Sequence, residues 1–325
     1  MRASLGGASL VRLDASSPVR LVQETLGREK VALLIGGLPV THHVHWRSSV
    51  GQFIRAAGGV AGVNGTFFKD AAIASNDSNM MGPLLTPDGV FLSESDPVLL
   101  GKISGRPLVA WSRGQFLVTS FVPRRMNHRA DVKALLPGVT DAFAAGAWLV
   151  RGGQALRPAA RLRYAASDAQ QVRPRVFFGV TRGGQPIAGA TITPVSSVRL
   201  AQIAQAAGAQ EAVMLDGGYS TSLIYCARAL AVGHSSRKTQ SRPVPHAIVF
   251  MAPLLANAPL PRASLPRPAV SNVQLASKRL PAAQLADEQR SAAQRSTGQR
   301  SKRRLPAGPL ASRATGETED ASTPR

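Results

Sequence analysis

Ala212-Val213-Met214-Leu215-Asp216-Gly217-Gly218-Tyr219-Ser220-Thr221-Ser222-Leu223 runs from an apolar stretch into an acid, two glycines and three hydroxyls. The apolar run reads as a buried strand. Paired glycines let the backbone turn sharply and approach another segment closely. Asp216 and its neighbouring hydroxyls therefore sit at the mouth of a sheet, where loops on a rigid scaffold mount functional groups. An ordinary strand-to-helix turn, with Asp216 as the helix cap, is the alternative at this point.

Two further stretches share that design. Gly58-Gly59-Val60-Ala61-Gly62-Val63-Asn64-Gly65-Thr66-Phe67-Phe68 passes from small apolar residues into Asn-Gly, a turn signal. Ser241-Arg242-Pro243-Val244-Pro245-His246-Ala247-Ile248-Val249-Phe250 places an arginine just before a strand-like run. In this order, N-G-T-F-F, L-D-G-G-x-S-T-S and R-P-V-x-x-A-I-V resemble the phosphodiester glycosidase family. Met81-Gly82-Pro83-Leu84-Leu85 and Arg173-Pro174-Arg175-Val176-Phe177-Phe178-Gly179-Val180 are similar to two more of its segments. The resemblance spans roughly residues 11–252. It implies a hydrolase that cleaves the glycosidic bond of sugar 1-phosphodiesters, with export and a role in envelope or exopolysaccharide metabolism as further implications. Four positions depart from the family pattern. Tyr219 stands where a third glycine is usual, Val176 where threonine is usual, His246 where asparagine is common, and Lys69 where an acid is often found.

The chain has 325 residues, and its composition changes near Ala252. Residues 1–252 alternate apolar runs with Gly-rich turns and read as one domain. Residues 253–325 are rich in Pro, Ala, Ser, Gln and Arg and read as a disordered basic tail, because such a segment buries too little surface to offset its ordering entropy. The net charge is +21, and the tail holds 12 of the 39 Lys and Arg. This charge suits anionic polymers. A non-catalytic binder of anionic glycans or nucleic acid is thus the second functional reading, although no compact nucleic-acid signature is present. Ser301-Lys302-Arg303-Arg304 is an isolated basic patch. A single cysteine, Cys226, excludes an internal disulfide and reads as a small packed hydrophobe. No apolar stretch approaches a membrane span, and the N-terminus lacks a clear signal core.

The patterning predicts an α+β fold, with a mixed β-sheet core and a few flanking helices. Strands are expected around Val11–Asp14, Val19–Val22, Val31–Ile35, Val60–Val63, Val90–Leu92, Pro107–Trp111, Gln115–Val118, Trp148–Val150, Arg175–Thr181, Ile187–Ile192, Val213–Leu215 and Val244–Met251. Helices are expected at Ser48–Ala57 and Ser197–Ala207, the second with Val198, Ala201, Ile203, Ala204 and Ala207 on its apolar stripe. Residues 123–146 read as irregular or partly helical.

The chemistry assigned to these residues follows from the reaction. Breaking the C1–O bond of a sugar phosphodiester releases a phosphate monoester, already a stable anion. The usual requirement for two carboxylates is therefore relaxed. Asp216 is the candidate catalytic carboxylate, as a base toward water, a stabiliser of oxocarbenium charge or a metal ligand. Asn64 is offered to a sugar hydroxyl or phosphate oxygen, with a turn-forming role as its alternative. Arg175 and Arg242 are candidates for a phosphate clamp, since guanidinium forks bind phosphate bidentately. Gly217 and Gly218 are candidate anion-binding backbone donors, and Ser220 and Thr221 candidate hydroxyl donors. A divalent metal is left open. In Thr41-His42-His43-Val44-His45, His43 and His45 share one strand face, but a surface or packing role is the simpler reading.

Overall fold

In the computed structural model the described residues are 7–69, 80–157, 171–233 and 241–252. The segment expected to be a tail, together with its Ser301-Lys302-Arg303-Arg304 patch, lies outside them. All of the described residues belong to one compact unit, Met1–Arg267.

The strands are β1 (Ser9–Arg12), β2 (Arg20–Leu26), β3 (Glu29–Ile35), β4 (Leu38–Ser48), β5 (Ala61–Asn64), β6 (Leu84–Leu85), β7 (Phe91–Leu92), β8 (Pro107–Trp111), β9 (Gln115–Ser120), β10 (Asp141–Ala144), β11 (Trp148–Arg151), β12 (Gln154–Ala155), β13 (Val176–Thr181), β14 (Pro186–Thr191), β15 (Ala209–Met214), β16 (Ser222–Tyr225), β17 (Arg228–Val232) and β18 (Val244–Met251). The helices are α1 (Val50–Ala57), α2 (Pro97–Ile103), α3 (Pro123–Met126), α4 (Arg129–Leu135) and α5 (Ser197–Ala206).

The strands form three sheets, ordered β1-β9-β8-β10-β6-β7, β12-β11-β15-β13-β14-β3-β2 and β17-β16-β5-β18-β4. Strands dominate and helices are few, as expected. The expected mixed sheet is corrected, because the strand pairs among the described residues are antiparallel. Antiparallel neighbours close with short turns and need no crossover helix, which is why so few helices suffice.

Phe178 of β13 joins the sheets. Its ring lies 5.3 Å from Trp111, 5.7 Å from Phe116, 6.3 Å from Phe143 and 6.3 Å from Phe250. These five side chains come from β8, β9, β10, β13 and β18, so all three sheets pack on one aromatic cluster. Such edge-on and tilted pairs add about 0.5–1.5 kcal/mol each beyond area burial.

Local signals hold where they are strong. Ser49 caps α1 with a reciprocal Ser–Gln box, and Gly58 ends the helix at φ 66°. Val50, Phe53, Ile54 and Ala57 form its buried face. Four expectations change. Residues 123–146 contain strand β10, fully buried between β8 and β6. The hairpin β16–β17 follows the Asp-Gly-Gly turn, so that turn links two strands rather than a strand and a helix. The buried face of α5 uses Leu200 and Ser197 rather than Val198 and Ala207. Cys226 is exposed, not packed, because it occupies the β16–β17 turn at φ 45°, beside Ala227 at φ 63°.

Candidate active site

Three strand ends converge. Strand β5 lies between β16 and β18, so the loop after Asn64 and the segments flanking β16 and β18 meet at one edge. Asp216 follows β15 of the neighbouring sheet, and its N–H donates to Gly65 O at 3.2 Å. That bond stitches two sheets together at the site.

Asn64 is the clasp of this junction and is wholly buried. Its Nδ2 donates to Asp216 O at 2.8 Å and to Gly65 O at 3.2 Å, and its Oδ1 accepts from Ser222 N at 3.0 Å. The amide offered above to a substrate oxygen is thus engaged with backbone on both sides of the Asp-Gly-Gly turn. Gly65 is needed for closeness rather than for a left-handed turn. It is absent from the positive-φ residues, and a Cβ there would lie 2.0 Å from His246 Nδ1. His246 Nδ1 accepts from Thr66 N at 3.0 Å. Burial, helped by the charges of His43 and His42, pushes this imidazole down to about 3. It is therefore neutral, with its proton on Nε2, and serves as a hydrogen-bond acceptor.

Asp216 Oδ1 accepts from Gly217 N at 2.9 Å, while Oδ2 faces Arg242 Nη2 at 3.5 Å. Arg242 Nε donates to the buried Ser220 Oγ at 2.8 Å, and its guanidinium carbon lies 4.9 Å from the Phe68 ring centroid. Gly218, at φ 60°, opens a single 3-10 turn and gives its N–H to Pro174 O at 2.9 Å. The N–H groups of Gly217 and Gly218, expected to face an anion, are both used internally. Thr221 Oγ1 donates to Pro174 O at 3.1 Å, and its carbonyl accepts from Ser241 Oγ.

Arg175 lies beneath the turn, fully buried. Its Nη2 donates to Gln171 O at 2.6 Å, and its Nη1 would lie 3.6 Å from a Cβ at Gly217. The structure therefore brings Asn64, Arg175, Asp216, Gly217, Gly218, Ser220, Thr221 and Arg242 to one locus. Of these eight, Asp216 and Arg242 combine a charge with partial exposure, their side chains being 11% and 27% accessible.

Sequence reasoning missed Arg47. It sits near the end of β4, and its guanidinium carbon lies 4.6 Å from the Phe68 centroid. The available signal was strand pairing: β4 runs beside β18, with Ser48 opposite Val244, which places Arg47 and Arg242 at the same end. Lys69, the departure from the family's acid, pairs with Glu94 at 2.9 Å. Among the described residues, no group of three or more His, Cys, Asp or Glu is placed to hold a metal ion.

Residues 57–251 match the sequence model of the phosphodiester glycosidase family. The chain belongs to that family. Its fold is similar to that of the catalytic domain of zebrafish N-acetylglucosamine-1-phosphodiester α-N-acetylglucosaminidase, a structure auto-inhibited by its pro-peptide. The TM-score is 0.56 at 11% identity, over 75% of this chain and 88% of that one. A hypothetical protein from Synechocystis shares the fold with a TM-score of 0.53 at 14% identity, over 74% of this chain and 63% of that one. Thus the chain spans under two thirds of the Synechocystis protein. Likeness at these identities concerns the fold alone. No curated protein matches the sequence. No helix among the described residues is long and apolar enough to cross a membrane.

Proposed function

We propose that this member of the family hydrolyses the C1–O bond of sugar 1-phosphodiesters, releasing the free sugar and a phosphate monoester. The observation that carries this reading is the triplet Asp216–Arg242–Ser220, joined at 3.5 and 2.8 Å from segments on two different sheets. Water supplies its oxygen to C1, and the C1–O electron pair leaves with the phosphate. The leaving monoester has a second pKa of about 6, so it departs near neutrality with little need of an acid. One carboxylate then suffices. Asp216 takes the proton of the attacking water, or faces the cationic sugar carbon as the bond stretches. Arg242 holds a phosphate oxygen through its fork, and Ser220 fixes the fork's angle. Asn64 is a positioning residue that holds the Asp216 backbone. Arg175, Gly217, Gly218 and Thr221 shape the turn.

The chemistry is derived from these groups; a divalent metal enters as a variable of the assay. A role in envelope or exopolysaccharide metabolism, with export, extends the reading and rests on family resemblance. The test uses N-acetylglucosamine 1-phosphodiesters and related glycosyl phosphodiesters, with and without divalent metal. Wild type releases sugar, and Asp216→Asn lowers kcat/KM by about 10²–10⁴-fold, as for loss of a general base. If none of these substrates yields sugar, the hydrolase reading falls and the alternative gains, a binder of anionic glycans or nucleic acid driven by the +21 charge. Steeply salt-dependent binding that is indifferent to Asp216→Asn would mark that alternative.

A further inference from the structure

We infer that Arg47 is the second arm of an anion clamp, and that Arg47 and Arg242 hold the two non-bridging oxygens of a phosphodiester above the Phe68 ring. This deepens the reading above, because it names who binds the phosphate at the same site. The two guanidinium carbons lie 4.6 and 4.9 Å from the centroid of one aromatic ring. A guanidinium stacked on a ring keeps its in-plane N–H fork available for an oxyanion.

Charge balance around Phe68 points the same way. Arg242 has Asp216 at 3.5 Å, and Lys69 has Glu94 at 2.9 Å. Glu94 Oε1 accepts from Lys69 Nζ and Asp96 N, and its Oε2 accepts no hydrogen bond, so Glu94 is not bonded to Arg47. Arg47 forms no ion pair among the described residues. Its one hydrogen bond there runs from Nη2 to Lys69 O at 3.5 Å, the outer limit of such a contact. Its Nε is buried without an acceptor. Among the described residues, Arg242 and Lys69 beside Phe68 each have a carboxylate partner and Arg47 has none, so a monoanionic phosphodiester supplies the counter-charge that Arg47 lacks. Arg175, the partner expected from the sequence, cannot take this role while fully buried under Gly217.

Titration calorimetry of the full chain with inorganic phosphate, at one fixed salt concentration, tests this. Wild type binds phosphate, and Arg47→Met weakens it by about 10- to 100-fold, the loss of a charge-assisted contact. Arg55→Met removes the same charge from α1, where Arg55 lines a separate cavity, and leaves the affinity within about twofold. Arg47→Lys keeps the charge but not the fork and loses at least about threefold. It also serves if Arg47→Met folds poorly. Unchanged phosphate affinity in Arg47→Met or Arg47→Lys, an equal loss in Arg55→Met, or no phosphate binding by wild type each overturns the clamp. A protein that binds phosphate through Arg47 yet releases no sugar would sink the hydrolase reading and leave the clamp standing.

Discussion

Replacing Asn64 by alanine separates a structural clasp from a substrate contact. The substitution takes the 2.8 Å donor from Asp216 O and the 3.0 Å acceptor from Ser222 N. Gly65 O keeps its bond from Asp216 N at 3.2 Å, so the junction is weakened rather than severed. Each buried polar group that loses its partner costs about 1–3 kcal/mol. Some of this is recovered if water enters the space vacated by the amide. The net loss is about 2–5 kcal/mol, and at about 2–4 °C per kcal/mol for a domain of this size the melting temperature falls by about 4–20 °C. Asn64→Asp is worse than alanine, because it sets a buried carboxylate oxygen against the Asp216 carbonyl. Urea unfolding with an aromatic-fluorescence readout measures the loss, and kcat/KM on a sugar phosphodiester is measured in parallel. Stability within about 0.5 kcal/mol of wild type, the range of an inconsequential surface change, together with abolished activity would refute the reasoning. Asn64 would then act on substrate.

Acid and base perturb the fold through different groups. Burial holds His246 down to about 3 and His42 down to about 4, so the unfolded chain binds their protons first below 6.5 and stability falls as pH drops through that window. Asp141 acts oppositely. Burial raises it to about 7, so between 3.8 and 7 the unfolded chain ionises while the fold retains the proton, and stability is lost as pH rises. Asp141→Asn therefore gains more stability, relative to wild type, at a pH of about 8 than at about 4; denaturant curves across that range check it, and a pH-independent difference would contradict it. Cys226→Gly relieves the left-handed φ of 45° and stabilises by about 1 kcal/mol. The wild-type thiol reacts with a disulfide reagent in the folded state; a thiol that reacts only after denaturation would contradict its exposure.

Elements with strong local signals were legible in the sequence. The capped helix α1 and the uniformly buried β18 lie within two residues of their expected positions. Strand β10 was not legible, because Asp-Ala-Phe-Ala has little strand propensity and is held by neighbours on both sides. The β16–β17 turn carries no Gly or Asn and so gave no signal. At the site, residue identities revealed which loops matter but not which atoms remain available. Asn64, Ser220 and the Gly218 N–H proved committed to partners distant in sequence, Ser222, Arg242 and Pro174, and the Gly217 N–H to its neighbour Asp216. Arg47 was hidden because its relation to Arg242 arises only from the β4–β18 pairing.

Isotope tracing of the cleaved bond tests the central claim most directly. The protein is incubated with an N-acetylglucosamine 1-phosphodiester in ¹⁸O-labelled water, and both products are weighed by mass spectrometry. The account expects the label on the sugar hydroxyl at C1, none on the phosphate monoester, and little turnover in Asp216→Asn. Label on phosphorus would show P–O cleavage and contradict a glycosidase built on Asp216 and Arg242.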